Sequence, residues 1–170
     1  AIGDSIFDKY LKRKKLDPLE AYVPAVILTE FQIKELGESL EVDQPKYADC
    51  RNLLRYGPAA SFRVNIRAVA QYASDSGNGK TAFSKVDQCL RALEELDSLL
   101  LRASRNDQGA SIESMKANIG IALDAVDSLL NTVPSDVLDK GKAIADEYRT
   151  PEAVAPENLD PELKQLESLL

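Results

Sequence analysis

Residues 46–105 carry two long helical patterns joined by one small polar loop, and this hairpin constrains what the rest of the chain can do. In its second arm Val86, Leu90, Leu93, Leu96 and Leu100 recur at helical spacing between Glu94, Glu95, Asp97 and Arg102, which places one apolar stripe on an otherwise charged helix. In the first arm Phe62, Ile66, Val69 and Ala73 form a row, with Val64 and Ala68 beside it. Both arms therefore have a face to bury against each other and against further helices.

The flanking sequence supplies those helices. Asp17-Pro18 reads as a cap and a first-turn proline, followed by Leu19, Val23, Val26, Ile27, Ile33, Leu36 and Leu40. Pro24 interrupts this pattern and predicts a kink or a restart, with the well-formed helix from about residue 24 to 39. Pro45 opens a second helix that is expected to run to Ser74 with a bend at Gly57-Pro58, because proline disfavours helical geometry in the residue before it. Ser76-Gly77-Asn78-Gly79 closes that helix. Gly79-Lys80-Thr81 matches the end of a phosphate-binding loop, but Ser74 stands where the first glycine is required and a helix precedes it instead of a strand, so a plain turn is expected.

A third helix follows over about residues 81–105. Ser111 then caps a fourth, with Ile112, Met115, Ile119, Ala122, Val126, Leu129 and Val133 on one side. Its small residues Ala117, Gly120, Ala122 and Ala125 are expected to admit a close neighbour. Pro134 opens a shorter fifth helix to Tyr148, with Val137, Leu138, Ile144 and Ala145 apolar. No strand pattern occurs. The expectation is an all-α, antiparallel up-down four-helix bundle over 17–149 with an additional short helix. It is flanked by a basic arm, 1–16, and an extended acidic Pro-rich segment, 150–170, ending in a short helix of Leu163, Leu166, Leu169 and Leu170.

Charge and composition remove several function classes. The net charge of -7 argues against nucleic-acid binding, which needs a dominant positive field. The absence of histidine removes the usual neutral-pH base, most zinc sites and every nucleophile pair that relies on imidazole, so the chain reads as non-enzymatic. Di-metal bundles use Glu-x-x-His motifs that cannot be built here, and Asp124 and Asp127 read as a solvated edge. If the hairpin turns near Asn78, Cys89 lies opposite about Ile66, leaving Cys50 roughly 20 Å along the helix. A disulfide needs Cα atoms about 4.4–6.8 Å apart, so both cysteines are expected to be small core residues.

Positive charge is concentrated in two places. Lys9, Lys12, Arg13, Lys14 and Lys15 give the arm a net charge of +3 in an acidic chain. Arg51, Arg55, Arg63 and Arg67 form a second row at multiples of four, which Asp87, Glu94, Glu95 and Asp97 of the next helix could pair. These nine residues are the candidate partner-binding positions. No catalytic residue, cofactor or metal ligand is assigned.

The runs Lys46-Tyr47, Leu53-Leu54-Arg55, Ala59-Ala60-Ser61-Phe62-Arg63-Val64-Asn65-Ile66-Arg67-Ala68-Val69 and Ala92-Leu93-Glu94-Glu95-Leu96-Asp97-Ser98-Leu99 resemble the PsbQ-like proteins of the chloroplast thylakoid lumen. The resemblance extends over about residues 17–130. Gly57-Pro58, Asn65 and the segment after Pro134 depart from the pattern, which points to a relative of the oxygen-evolving subunit. The resemblance implies import into the lumen with removal of a presequence, which would fit a chain that begins Ala1-Ile2-Gly3 and whose sole methionine is Met115; a trimmed piece of a longer chain would begin the same way. It further implies a non-catalytic protein, peripheral to the membrane, that assists photosystem II assembly, repair or maintenance. The alternative is a lumenal structural subunit of another thylakoid complex, such as the NDH-like complex, or a photosystem II extrinsic subunit.

Overall fold

The structure is a computed structural model that describes residues 18–149, and among these it is all-helical and bundle-like, with no strand. The Asp17 cap, the basic arm 1–16 and the acidic tail 150–170 with its terminal leucines lie outside the described residues. The elements are α1 (Pro18–Ser39), α2 (Tyr47–Asn52), a 3-10 turn (Gly57–Ser61), α3 (Phe62–Asp75), α4 (Gly79–Ser104), α5 (Ile112–Leu130) and α6 (Ser135–Arg149).

The hairpin is less central than its pattern suggests. From Ala21 to Glu30 α1 is buried at nearly every position, with Val23 and Val26 at 0% exposure, and it packs against α3, the 3-10 turn, α5 and α6. A helix buried all round has little amphipathic signal, which is why its spacing under-reports its position. It also runs without a break through Pro24, where a kink or restart is expected. The proline forfeits one backbone bond, and the buried side chains on both flanks hold the helix together.

The second expected helix is not continuous. It ends at Asn52, gives way to a turn and the 3-10 element, and resumes at Phe62. Pro58 pushes Gly57 out of helical geometry, and Gly57 adopts φ +61°, a region that glycine enters freely. The backbone groups freed by the break find their partners on α1. Gln32, 9% exposed, donates from Nε2 to the carbonyls of Leu53 at 3.1 Å and Tyr56 at 3.0 Å, and its Oε1 accepts from the Ala59 N–H at 2.7 Å.

The turns that the sequence marks are present. Asn78 N–H reaches the Ala73 carbonyl and Gly77 N–H the Ser74 carbonyl, a Schellman stop for α3 that makes Gly79-Lys80-Thr81 the plain start of α4. Ser111 caps α5 by accepting from the Ser114 N–H.

Two apolar clusters fill the interior. One joins Val23, Val26 and Ile27 to Phe62, Ile66 and Val69 of α3, Val86 and Cys89 of α4, and Val126 and Leu129 of α5. The other joins Ile33, Leu36 and Leu40 to Cys50 and Leu53, Leu96 and Leu100 of α4, and Met115 and Ile119 of α5. The N-terminal half of α1 thus shares a cluster with the N-terminal half of α4 and the C-terminal half of α5. Ile66 and Cys89 fall together while Cys50 falls in the other cluster, as the hairpin offset requires, and both cysteines are free and buried. Two expectations about faces fail: Val64 is exposed, and so are Ala117 and Gly120, leaving Ala122 and Ala125 as the small residues turned inward.

On α6 the close approach to α1 is at Gly141, where a Cβ would lie 2.6 Å from Val23 Cγ1 and 3.3 Å from Val23 Cβ. Gly141→Ala therefore lowers stability in urea unfolding although alanine is favoured in helices by about 1 kcal/mol, since overpacking costs about 1–3 kcal/mol; Val23→Ala in the same chain recovers part of the loss. Gln32→Ala leaves two carbonyls and one N–H of the break without their partner, and the expected loss in the same measurement is about 2–3 kcal/mol.

Candidate functional site

The break between α2 and α3 sets up the arginines. α2 packs on α4, and the turn after it swings Arg55 alongside Arg51, so both face one carboxylate. Arg51 donates to Asp97 from Nε at 3.0 Å and Nη2 at 3.2 Å, while Arg55 donates from Nη1 at 2.6 Å and Nη2 at 2.9 Å. Arg55 Nη1 also donates to the Arg51 carbonyl at 3.0 Å, which ties the turn to α2. Two guanidinium forks on one carboxylate are geometry that lysine could not supply.

The charges respond accordingly. Asp97 is held below the usual aspartate range, first by the hydrogen bonds from Arg55 and then by those from Arg51, against the opposing effect of burial. Arg55 is raised by the same bonds to Asp97. Farther along, Arg63 Nη2 donates to Glu94 at 3.0 Å in a pair whose side chains are 52% and 66% exposed, so solvent screens it. Arg67 is exposed on α3.

Of the four arginines in the row, three thus pair with α4, through Asp97 and Glu94; Asp87 and Glu95 of the expected partners are exposed. Beside these pairs lies a cleft of about 400 Å³ whose walls include Arg55, Arg63, Leu54, Phe62, Leu93 and Thr29. It offers apolar surface with guanidinium and carboxylate groups at its rim. Lys9, Lys12, Arg13, Lys14 and Lys15 lie outside the described residues.

Apart from Thr29, which donates to the Ala25 carbonyl within α1, the sequence reading missed two buried polar residues of that helix. Gln32 is one. The other is Glu30, 8% exposed on α1 and facing Asp127 of α5. Its carboxyl is pushed up to about 7, first by burial and then by Asp127. Asp127 is exposed, as Asp124 is, and stands at the solvent edge of α5 beside Glu30. The available signal was Glu30 itself, a lone charge in the run Ile27-Leu28-Thr29-Glu30-Phe31. The Cys89 thiol is raised to about 12 by burial, with the Glu30 charge adding to it, which makes it a poor nucleophile.

A family model described as a domain of unknown function, DUF7880, matches residues 18–144. The chain belongs to the DUF7880 family. The match begins with α1 and extends into α6, so the DUF7880 unit takes in the arginine–Asp97 cluster, the Gln32 bridge and the Glu30–Asp127 pair together. No curated protein and no solved structure matches the chain.

Asp97→Asn removes the charge that both forks share and lowers stability by about 1 kcal/mol, whereas Glu94→Gln has an effect close to zero. The sign of its pH dependence follows from the depressed value: ionised Asp97 stabilises the fold above the ordinary aspartate range, and the contribution disappears as pH falls through the folded value. The difference in urea midpoint between the two proteins is therefore constant above about pH 5 and shrinks below about pH 4.

Proposed function

We propose that this protein is a non-catalytic component of the chloroplast thylakoid lumen that assists photosystem II assembly, repair or maintenance through protein–protein contacts. We infer for its core an antiparallel up-down four-helix bundle of α1, the α2–α3 arm, α4 and α5, with α6 as the additional short helix. The way opposite halves of α1, α4 and α5 share the two apolar clusters supports that arrangement.

One observation carries the functional reading. Of the residues that carry the PsbQ-like resemblance, Leu54, Arg55, Phe62, Arg63, Leu93, Glu94 and Asp97 are separated by up to 43 positions in sequence yet line a single cleft. Arg51, Arg55 and Arg63 spend their charge on Asp97 and Glu94, so steering toward an acidic partner falls on Lys9, Lys12, Arg13, Lys14 and Lys15, with the exposed Arg67 as the member of the row outside those pairs. No helix among the described residues is long and apolar enough to cross a membrane, and the proposed association is peripheral.

Affinity purification of the tagged chain from thylakoids tests the reading: photosystem II subunits are expected to co-elute at low ionic strength. Recovery is expected to fall in high salt, as the Debye length shortens from about 10 Å at 0.1 M to about 3 Å at 1 M. Reversing Lys12, Arg13, Lys14 and Lys15 to glutamate reduces recovery without moving the melting temperature. Stable recovery with the NDH-like complex instead would replace the photosystem II assignment. Equal recovery of the charge-reversed protein would move the contact to the cleft.

A further inference from the structure

A carboxyl group buried inside a bundle must be accounted for oxygen by oxygen. Glu30 Oε1 accepts from Lys34 Nζ at 3.4 Å, a long contact to a side chain that is 50% exposed. Glu30 Oε2 is buried with no hydrogen-bond donor in reach. The space beside it is a cleft of about 470 Å³ walled by Glu30 and Phe31 of α1, Asp127 of α5, and Leu138, Lys142 and Asp146 of α6.

The charged and titratable groups around Glu30 can be taken element by element. α1 contributes Lys34, α4 the buried thiol of Cys89, α5 Asp127, and α6 Lys142 and Asp146. The charged residues of α3, Arg63, Arg67 and Asp75, are exposed, and the 3-10 turn has no titratable side chain. No group of three or more His, Cys, Asp or Glu side chains among the described residues is arranged to hold a metal ion. An ionised glutamate and an ionised aspartate have only acceptors, so they can bond to each other only through a proton.

We propose that Glu30 and Asp127 share one proton, that this bond fastens α1 to α5 under α6, and that losing the proton loosens α6. The reasoning is electrostatic: on deprotonation a buried negative charge appears in the cleft that the exposed Asp127 and Asp146 also line, with Lys142 in its wall and the half-exposed Lys34 on Glu30 Oε1 as the cations that face it. α6 is the element most exposed to that change. It packs chiefly on α1, closes this cleft with Leu138, and has only Gly141 and Ala145 buried along its length.

The pH window follows from the raised value of about 7 against an ordinary 4.5. Between these the folded chain holds a proton that the unfolded chain has released, so stability falls as pH rises through this window and is level above it. The chain has no histidine, so the window is nearly silent otherwise. The device is independent of the proposed site of action: it concerns how firmly α6 is held, whatever the partner.

The test uses the full chain. The Glu30 side-chain carboxyl, followed by carbon-13 NMR, is expected to titrate near 7, and titration near 4.5 would overturn the proposal. Amide exchange in residues 135–149, corrected for intrinsic rates, should lose roughly tenfold or more of its protection between about pH 5.5 and 8.5, while α4 keeps its own. In Glu30→Gln the carboxamide donates to Asp127 at every pH, so the pH dependence of α6 exchange should vanish. The same trend in the variant as in the original protein would sink the latch. If Glu30→Gln does not fold, Asp127→Asn serves: its amide donates to the ionised Glu30, and the Glu30 midpoint should drop toward the ordinary value, whereas an unmoved midpoint would rule out the shared proton.

Discussion

The amide of Gln32 bridging three backbone groups across the α2–α3 break is the interaction on which the arrangement rests. A run of helix that stops and restarts leaves carbonyl and N–H groups without intrahelical partners, and in a buried position each would cost on the order of 1–3 kcal/mol. Gln32 supplies two donors' worth of bonds and one acceptor from a single side chain on the central helix. The break can then exist inside the fold. Because it exists, Cys50 and Leu53 serve one apolar cluster and Phe62 and Ile66 the other, and Arg55 turns back far enough to join Arg51 on Asp97.

The fold treats its semi-buried charges in two different ways. Asp97 is surrounded by guanidinium forks that favour its ionised form, which lowers its proton affinity. Glu30 is surrounded by apolar walls and another carboxylate, which raises it. Both residues are acidic, both face a neighbouring helix, and they sit on opposite sides of the ordinary carboxylate range because one environment provides short guanidinium bonds and the other a burial that the single long Lys34 contact does not offset. The first arrangement holds α2 and its turn against α4. The second places a titratable group where α1, α5 and α6 meet.

The family match starts at the first residue of α1 and ends inside α6, which agrees with the packing. Removing α1 would strip both apolar clusters of their central member, and removing α6 would uncover Val23 and Ile27 at the Gly141 contact. Leu54, Arg55, Phe62 and Arg63 of the α2–α3 arm and Leu93, Glu94 and Asp97 of α4 line one cleft within this larger unit.

Local chemistry determined much of this protein from sequence alone. The stripes of α4 and α5, the Ser111 cap, the glycine stop after α3 and the register that sets Cys89 level with Ile66 depend on helical periodicity and on the backbone preferences of single residues, which neighbours along the chain fully specify. The arginine row was legible as a set of partners for α4, because alternating charge on facing helices has few other uses. Tertiary structure alone decided that α1 is the central helix, that Gln32 holds the break open, and that Glu30 meets Asp127. A polar side chain's partner can lie twenty or ninety residues away, and only the packing of one helix on another determines whether that partner is water, a donor or a second carboxylate.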